Sequence, residues 1–213
     1  MGYRGDELVT GEIYHIYTRG IEQRTIYRND SDRKRFILLM LHCMRMENSS
    51  YSIDIKAGYT PSLPPSGKGF VDLLCYSLMS NHVHFLIKQN FDGGISLYMQ
   101  RLLKSYAKYF NMTQGRSGGL FVSPFKSSLV VNDEQLLHVS RYIHINAYVA
   151  HMVENLSDYR WCSLNEYIAK VEPARCHIQL LQSLMNYEQY KEFVYDQADY
   201  LRSIVDYQHL MLE

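Results

Sequence analysis

The amino-acid sequence predicts an α+β protein with a ferredoxin-like core, an antiparallel sheet with helices packed against it. Three observations lead there. Short segments rich in Tyr, Ile and Val have strand character, and they alternate with longer stretches whose apolar residues recur every three or four positions. Their order along the chain is strand, helix, strand, strand, helix, strand, helix, with turn or capping residues at the breaks. The chain of 213 residues, 46% hydrophobic and 21% charged, is long enough for one well-buried domain plus an appendage.

Residues 11–18 (GEIYHIYT) alternate loosely and read as the first strand, ended at Arg19 and Gly20. Asn29, Asp30, Ser31 and Asp32 offer caps to a helix over residues 33–46, whose apolar stripe is Phe36, Leu39, Met40, Cys43 and Met44. Residues 51–55 read as a short extended piece. Residues 58–69 (GYTPSLPPSGKG) read as a mobile surface loop, since Pro, Gly and Ser dominate them. Residues 71–78 and 82–88 are the second and third strands, broken at Met79, Ser80 and Asn81. A helix is expected over 95–110 and a loop over 115–119. Residues 121–131 read as a fourth strand that Pro124 interrupts. Asn132 and Asp133 then cap a helix carrying apolar Leu136, Leu137, Val139, Ile143 and Val149. Residues 1–170 are therefore expected to form the main domain, and residues 171–213, acidic and Tyr-rich, a helical C-terminal appendage.

Net charge is zero, with 22 Lys and Arg against 22 Asp and Glu, which at first argues against a nucleic-acid partner. Its distribution changes that reading. No acidic residue stands between Asp92 and Asp133, while Arg101, Lys104, Lys108, Arg116 and Lys126 fall there, with Tyr106 and Tyr109 among them. A one-signed block beside aromatic residues suits a phosphate backbone; an ordinary solvated helix face explains it equally well. The first six residues lack the apolar run of a signal peptide, and the longest apolar run, residues 36–41, is too short to span a bilayer. No membrane association and a cytoplasmic location are expected. Cys43, Cys75, Cys162 and Cys176 show no paired spacing and are expected to be reduced thiols.

The sharpest local signal is Ser80-Asn81-His82-Val83-His84-Phe85. Residues two apart on a strand share a face, so both imidazoles can meet one ion, or can simply be two hydrogen-bonded histidines on a sheet. On the last core helix, Tyr142 and Asn146 are four apart and share a face, which presents a phenol beside a carboxamide. A hard ion such as Mg²⁺ or Mn²⁺ accepts an amide oxygen, and imidazole suits the Mn²⁺ end of that range. The plain alternative packs Tyr142 in the core and leaves Asn146 to cap or face solvent. With nineteen tyrosines in the chain, spacing alone does not choose. His138, one turn before Tyr142, is a weaker candidate for the same face, and His144 is expected to point away.

The run YSLMSNHVHFLI resembles the HUH motif strand of the single-tyrosine transposases, and in particular of the REP-associated tyrosine transposases. The resemblance extends to YHIYTRGIEQRTIYRNDSDRKRF, similar to that family's opening strand, turn and first helix. It includes LLKSYAKYFN, then Gly118-Gly119-Leu120-Phe121 and FKSS, similar to the middle helix and fourth strand. RYIHINAYVA resembles the nucleophile helix, and DYRWCSLNEYIA the segment after it. It spans about residues 10–170 in order and leaves out residues 50–70 and 171–213.

Carried over by position, the resemblance implies that His82 and His84 are metal ligands, Tyr142 the nucleophile and Asn146 the third ligand side chain. Lys126 takes a basic position on the fourth strand that suits DNA contact. Phe121 and Pro124 replace a tryptophan and an arginine usual there, which puts one DNA contact in doubt; Ser80 and Ala147 stand where the family usually has prolines. The implied activity is metal-dependent cleavage and rejoining of single-stranded or hairpin DNA through a covalent 5′-phosphotyrosine. The implied cofactor is Mg²⁺ or Mn²⁺, with a homodimer left open. The alternative is a DNA-binding regulator of the same fold that has lost catalysis; a missing site residue would mark it, and all four are present.

Overall fold

The computed structural model describes residues 7–210 apart from 48, 170 and 172, with side chains as far as residue 204. The opening six residues, and residues 172 and 211–213 of the expected appendage, lie outside the described residues. Four strands, β1 (Ile13–Arg19), β2 (Val71–Leu78), β3 (His82–Gln89) and β4 (Lys126–Val130), form one sheet in the order β2-β3-β1-β4. Every neighbouring pair is antiparallel. With helix α1 (Asp30–Met44) before β2 and α3 (Gly94–Thr113) before β4, this is the ferredoxin-like β-α-β-β-α-β arrangement. After β4 the chain continues into α4 (Asp133–Val149).

The two faces of the sheet are covered differently, and the difference creates the site. On one face Phe85 of β3 stacks on Phe36 of α1 and meets Tyr98 of α3 edge-on, while Phe36 packs against Tyr106 of α3 with ring centroids 4.9 Å apart. Aromatic pairs in this range add about 0.5–1.5 kcal/mol each beyond the area they bury. On the other face α4 lies along β2 and β3. Accordingly β2 is buried along its whole length, whereas on β1 only alternate residues, Tyr14, Ile16 and Thr18, are buried. The half of the second face over β1 and β4 stays open.

Local chemistry accounts for the element boundaries. The Asn29 side chain caps α1 by accepting from the Asp32 N–H (3.0 Å). Asn132 does the same for α4 through Gln135 (2.8 Å), whose own amide oxygen accepts back from the Val131 N–H (2.8 Å). Helix α3 starts at Gly94, where a Cβ would stand 2.5 Å from the Phe70 carbonyl oxygen, so only glycine lets the helix begin that close to β2.

Two expected elements differ. Residues 51–55 are not extended: they lie in helix α2 (Tyr51–Lys56), capped by the Ser50 hydroxyl accepting from Ile53. A segment of six residues is too short for periodicity to separate strand from helix. The fourth strand begins at Lys126, not at 121, because Pro124 has no N–H to offer a ladder; the backbone of residues 121 and 122 bridges to Gly20 and Arg19 at the end of β1. The loop of residues 58–69 carries no regular element and is tied down. The Asp72 carboxylate accepts from the Ser66 hydroxyl and the Gly67 N–H (2.9 Å), and the Pro64 carbonyl lies 2.8 Å from the His177 ring.

Beyond the core, α5 (Leu164–Ile168), α6 (Gln179–Leu184) and α7 (Tyr187–Leu210) follow. α7 packs on the outer side of α4 and buries Tyr190, Val194 and Ala198. A buried chain of hydrogen bonds joins them. His144 of α4 lies with Nδ1 2.8 Å from the Tyr190 hydroxyl and Nε2 2.8 Å from the Ser163 hydroxyl. Tyr190 in turn donates to Ser140 (2.8 Å). Among the described residues no helix is long and apolar enough to cross a membrane, and all four cysteines are buried and unpaired.

Burial lowers the His144 pKa to about 3. Unfolded, the same ring titrates near 6.5, so the unfolded chain binds more protons and stability falls as pH drops from about 6.5 toward 3. Urea midpoints across that window should decline, and His144→Gln should remove part of the decline while costing about 1–3 kcal/mol at pH 7 through the broken buried chain.

Candidate active site

The two-residue period of β3 puts His82 and His84 on the face opposite Phe85. The β1 register sets their neighbours: Arg19 pairs with His82 and Tyr17 with His84, and His15 follows on the same face. The His82 and His84 rings stand 4.9 Å apart at 86°. His15 lies edge to edge with His84 and nearly coplanar with it (5.1 Å, 17°), and Tyr17 lies roughly parallel to both.

From α4, the Tyr142 ring closes the cluster, edge-on to His84 at 5.6 Å and to His15 at 5.9 Å. The helix turns about 100° per residue, so burying His144 against Ser163 and Tyr190 aims Tyr142, two positions earlier, to the opposite side, toward the open half of the sheet. Tyr142 is 49% exposed, whereas Tyr14, Tyr27, Tyr76, Tyr98, Tyr106, Tyr167 and Tyr190 are fully buried. It therefore does not pack in the core. Asn146, one turn further along the same side, is half-buried.

Each of these polar atoms has a definite hydrogen-bonding state. His84 Nδ1 lies 2.9 Å from His15 Nε2, and its other nitrogen, Nε2, is buried with no hydrogen-bond partner among the described residues. His82 Nδ1 lies 2.6 Å from the Asn81 side-chain oxygen. The Asn146 side-chain nitrogen is likewise buried without a partner. Because the two ends of a carboxamide have nearly the same shape, a half-turn of that group presents its oxygen instead. Burial lowers the His84 pKa to about 3, helped by neighbouring His15 and His82, and lowers His15 to about 4. His82 is lowered by burial and then by the Arg19 charge. All three rings are thus neutral near pH 7, the form that offers a lone pair.

This donor set fits a divalent ion. An unsatisfied buried imidazole nitrogen, a second neutral imidazole beside it and a carboxamide on the facing helix make a mixed nitrogen and oxygen donor set of the kind divalent ions accept. Among the described residues no three His, Cys, Asp or Glu side chains are grouped to hold a metal, so a third protein donor would have to be of another kind, as the Asn146 amide is.

The basic residues divide between the two faces. Lys126 is exposed on the histidine face, paired with Tyr17 and with its ammonium 5.9 Å from that ring. Arg101, Lys104 and Lys108 ride on α3, across the sheet from the histidines, and line a groove of about 750 Å³ together with Arg35, Tyr51 and Tyr109. Arg101 donates to the carbonyls of Arg45 (2.7 Å) and Glu47 (2.8 Å). Arg116 donates to the Asn111 side chain (2.6 Å) and the Gly119 carbonyl (3.1 Å), and so braces its own loop. Tyr106 and Tyr109 donate to the Ile26 carbonyl and to Asp32 on that same far side. His138 turns to α7, where it accepts from Arg141 and packs against Phe193.

Four residues of the cluster were not singled out by sequence: His15, Tyr17, Arg19 and Asn81. A signal for three of them exists, since the alternation in YHIYTR puts His15, Tyr17 and Arg19 on one strand face. That this face adjoins the histidine pair depends on which strands pair, and local sequence does not carry that.

Residues 67–146 match the model of the family described as Transposase IS200 like. The matched stretch holds β2, β3, α3, β4 and α4 as far as Asn146. No curated protein matches the chain. Among solved structures, one described as a REP-associated tyrosine transposase bound to a REP hairpin is similar at 16% identity. It covers 80% of this chain and 86% of that one, with a TM-score of 0.49.

The two kinds of basic residue on α3 should behave differently on substitution. Arg101→Ala should lower stability by about 1–2 kcal/mol, since two carbonyls lose a charged donor, while exposed Lys104→Ala should stay within about 0.5 kcal/mol. Urea denaturation of the two variants checks this.

Proposed function

We propose that the chain, which over residues 67–146 is similar to the IS200-like transposases, cleaves and rejoins single-stranded or hairpin DNA with Tyr142 as nucleophile. The observation that carries this reading is the position of Tyr142, a half-exposed phenol edge-on to a histidine whose free nitrogen has no protein partner.

In this reading His82, His84 and Asn146 hold a divalent ion, Mg²⁺ or Mn²⁺. When bound, it would supply positive charge beside a non-bridging oxygen of the scissile phosphate. The protein's own part is positional. The sheet holds the imidazoles neutral and aimed, and α4 delivers the phenol next to them. The Tyr142 oxygen attacks phosphorus, its proton passes to solvent, and a tyrosyl–phosphate bond to the DNA 5′ end forms as the bond to the 3′ oxygen breaks. That oxygen leaves as a hydroxyl after taking up a proton. Attack by another 3′ hydroxyl reverses the step and joins new ends, and because one phosphodiester is exchanged for another, no nucleotide is consumed.

The DNA strand approaching this face meets Lys126 and Arg19, both exposed, with the Tyr17 ring between β4 and the histidines. These residues suit a phosphate backbone and a stacking base. Lys104 and Lys108, on the other face, could reach only a second stretch of the same DNA. The half of the sheet that α4 leaves uncovered supports substrate access.

Tyr142→Phe keeps the ring contacts and removes only the hydroxyl. It should therefore abolish the covalent adduct, read on a denaturing gel with labelled single-stranded hairpins and Mn²⁺, while DNA affinity changes less than about twofold. Undiminished adduct in that variant would overturn the assignment. Lys126→Ala should weaken binding of all sequences and flatten the log–log salt dependence by roughly 0.7, the contribution of one phosphate contact on a single strand. An unchanged slope would remove Lys126 from the DNA path.

A further inference from the structure

A histidine ring can offer a ligand lone pair from Nε2 only when its remaining proton sits on Nδ1, and something must hold it there. Both histidines of the pair have such a partner here. For His82 it is the Asn81 side-chain oxygen, 2.6 Å from Nδ1. The orientation of that amide is set in turn by its nitrogen, which donates to the Gln23 carbonyl (3.3 Å). The turn presenting that carbonyl contains two consecutive non-glycine residues with positive φ, Glu22 and Gln23, both at 56°. An amide oxygen can only accept, so Nδ1 of His82 must carry the proton.

For His84 the partner is His15, a residue of another strand. Its Nε2 stands 2.9 Å from His84 Nδ1, with the two rings edge to edge and nearly coplanar, centroids 5.1 Å apart at 17°. Two neutral imidazoles joined in this way share one proton on the bond, so one donates and the other accepts. If His15 accepts, His84 is protonated at Nδ1 and its Nε2 is bare. If His15 donates, the His84 proton is forced onto Nε2, which is buried and has no acceptor among the described residues. A buried N–H without an acceptor keeps its full desolvation penalty, a greater loss than a bare lone pair, so the first arrangement is favoured.

We propose that His15 is a positioning residue, which keeps His84 in the Nδ1-protonated tautomer and so keeps its Nε2 open toward a metal ion, as Asn81 does for His82. The inference rests on the reading of His82 and His84 as metal ligands. It assigns a role to a residue of β1 that is neither a proposed ligand nor the proposed nucleophile. Its second contact, ring edge to the Tyr142 ring at 5.9 Å, ties the same side chain to the helix that delivers the phenol.

The test uses the full chain and three variants. His15→Phe keeps an aromatic ring at the position and removes the acceptor; His15→Gln retains an acceptor oxygen; His84→Ala removes the ligand itself. Two readouts are taken, the His84 tautomer from ¹⁵N NMR without metal, and Mn²⁺ affinity by titration calorimetry, with thermal melting confirming that each variant folds. The unsubstituted chain should show Nδ1-protonated His84. His15→Phe should lose that preference and weaken Mn²⁺ about 10–100-fold, the usual effect of removing such an outer partner, and His15→Gln should recover most of it. His84 protonated at Nε2 in the unsubstituted chain would overturn the proposal whatever the metal does. So would Mn²⁺ affinity in folded His15→Phe within twofold of the unsubstituted chain. Mn²⁺ binding that His84→Ala leaves intact would instead refute the ligand assignment beneath it, and the proposal with it.

Discussion

The geometry of the site depends on one buried interaction, the hydrogen-bonded chain through His144. This ring sits fully inside the protein between the Ser163 and Tyr190 hydroxyls, with Ser140 continuing the chain. An α-helix lying on a sheet can roll about its axis at little cost if its contacts are only apolar. A ring with two directional partners on different elements stops that roll. Once His144 is fixed, residues about half a turn away on α4 must face the uncovered part of the sheet. Tyr142 is one of them, and Asn146 follows on the same side. The C-terminal helix, which looks peripheral in the sequence, takes part in this through Tyr190, and so helps to aim the phenol.

A second constraint is the asymmetry of sheet coverage. Helices α1 and α3 close one face completely with aromatic residues, and stability is concentrated there. The other face is sealed over β2 and left open toward β1 and β4. Polar rings can exist at that border because they are dry enough to stay neutral yet remain near solvent. His84 is almost wholly buried, and Tyr142, on the same cluster, is half-exposed.

The basic residues illustrate how a linear block of charge divides in space. Five Lys and Arg between Asp92 and Asp133 look like one footprint in the sequence. In the fold, three of them ride on α3 behind the sheet, Arg116 braces a loop, and Lys126 alone of the five stands beside the histidines. Arg19, outside the block, joins Lys126 on the histidine face because β1 lies between β3 and β4. Charge counted along the chain thus overstates the positive potential at the site and misses one of its contributors.

The sequence by itself determined the element order, the fold class and the pairing of residues that share a face. Each of these follows from local periodicity: two for His82 and His84 on a strand, three to four for Tyr142 and Asn146 on a helix. It also determined both Asn caps, whose side chains bond within their own first turn. It misread residues 51–55 and the start of β4, where the segment was too short for a period or a proline withheld an N–H. Only the tertiary structure decided that Tyr142 lies over His84, that His15 and Asn81 are the partners of the two imidazoles, and that α3 carries its lysines to the other side. These are contacts between residues far apart in the chain, such as the 69 positions between His15 and His84. They depend on strand order and helix rotation, which arise from packing the whole core, and no local pattern encodes them.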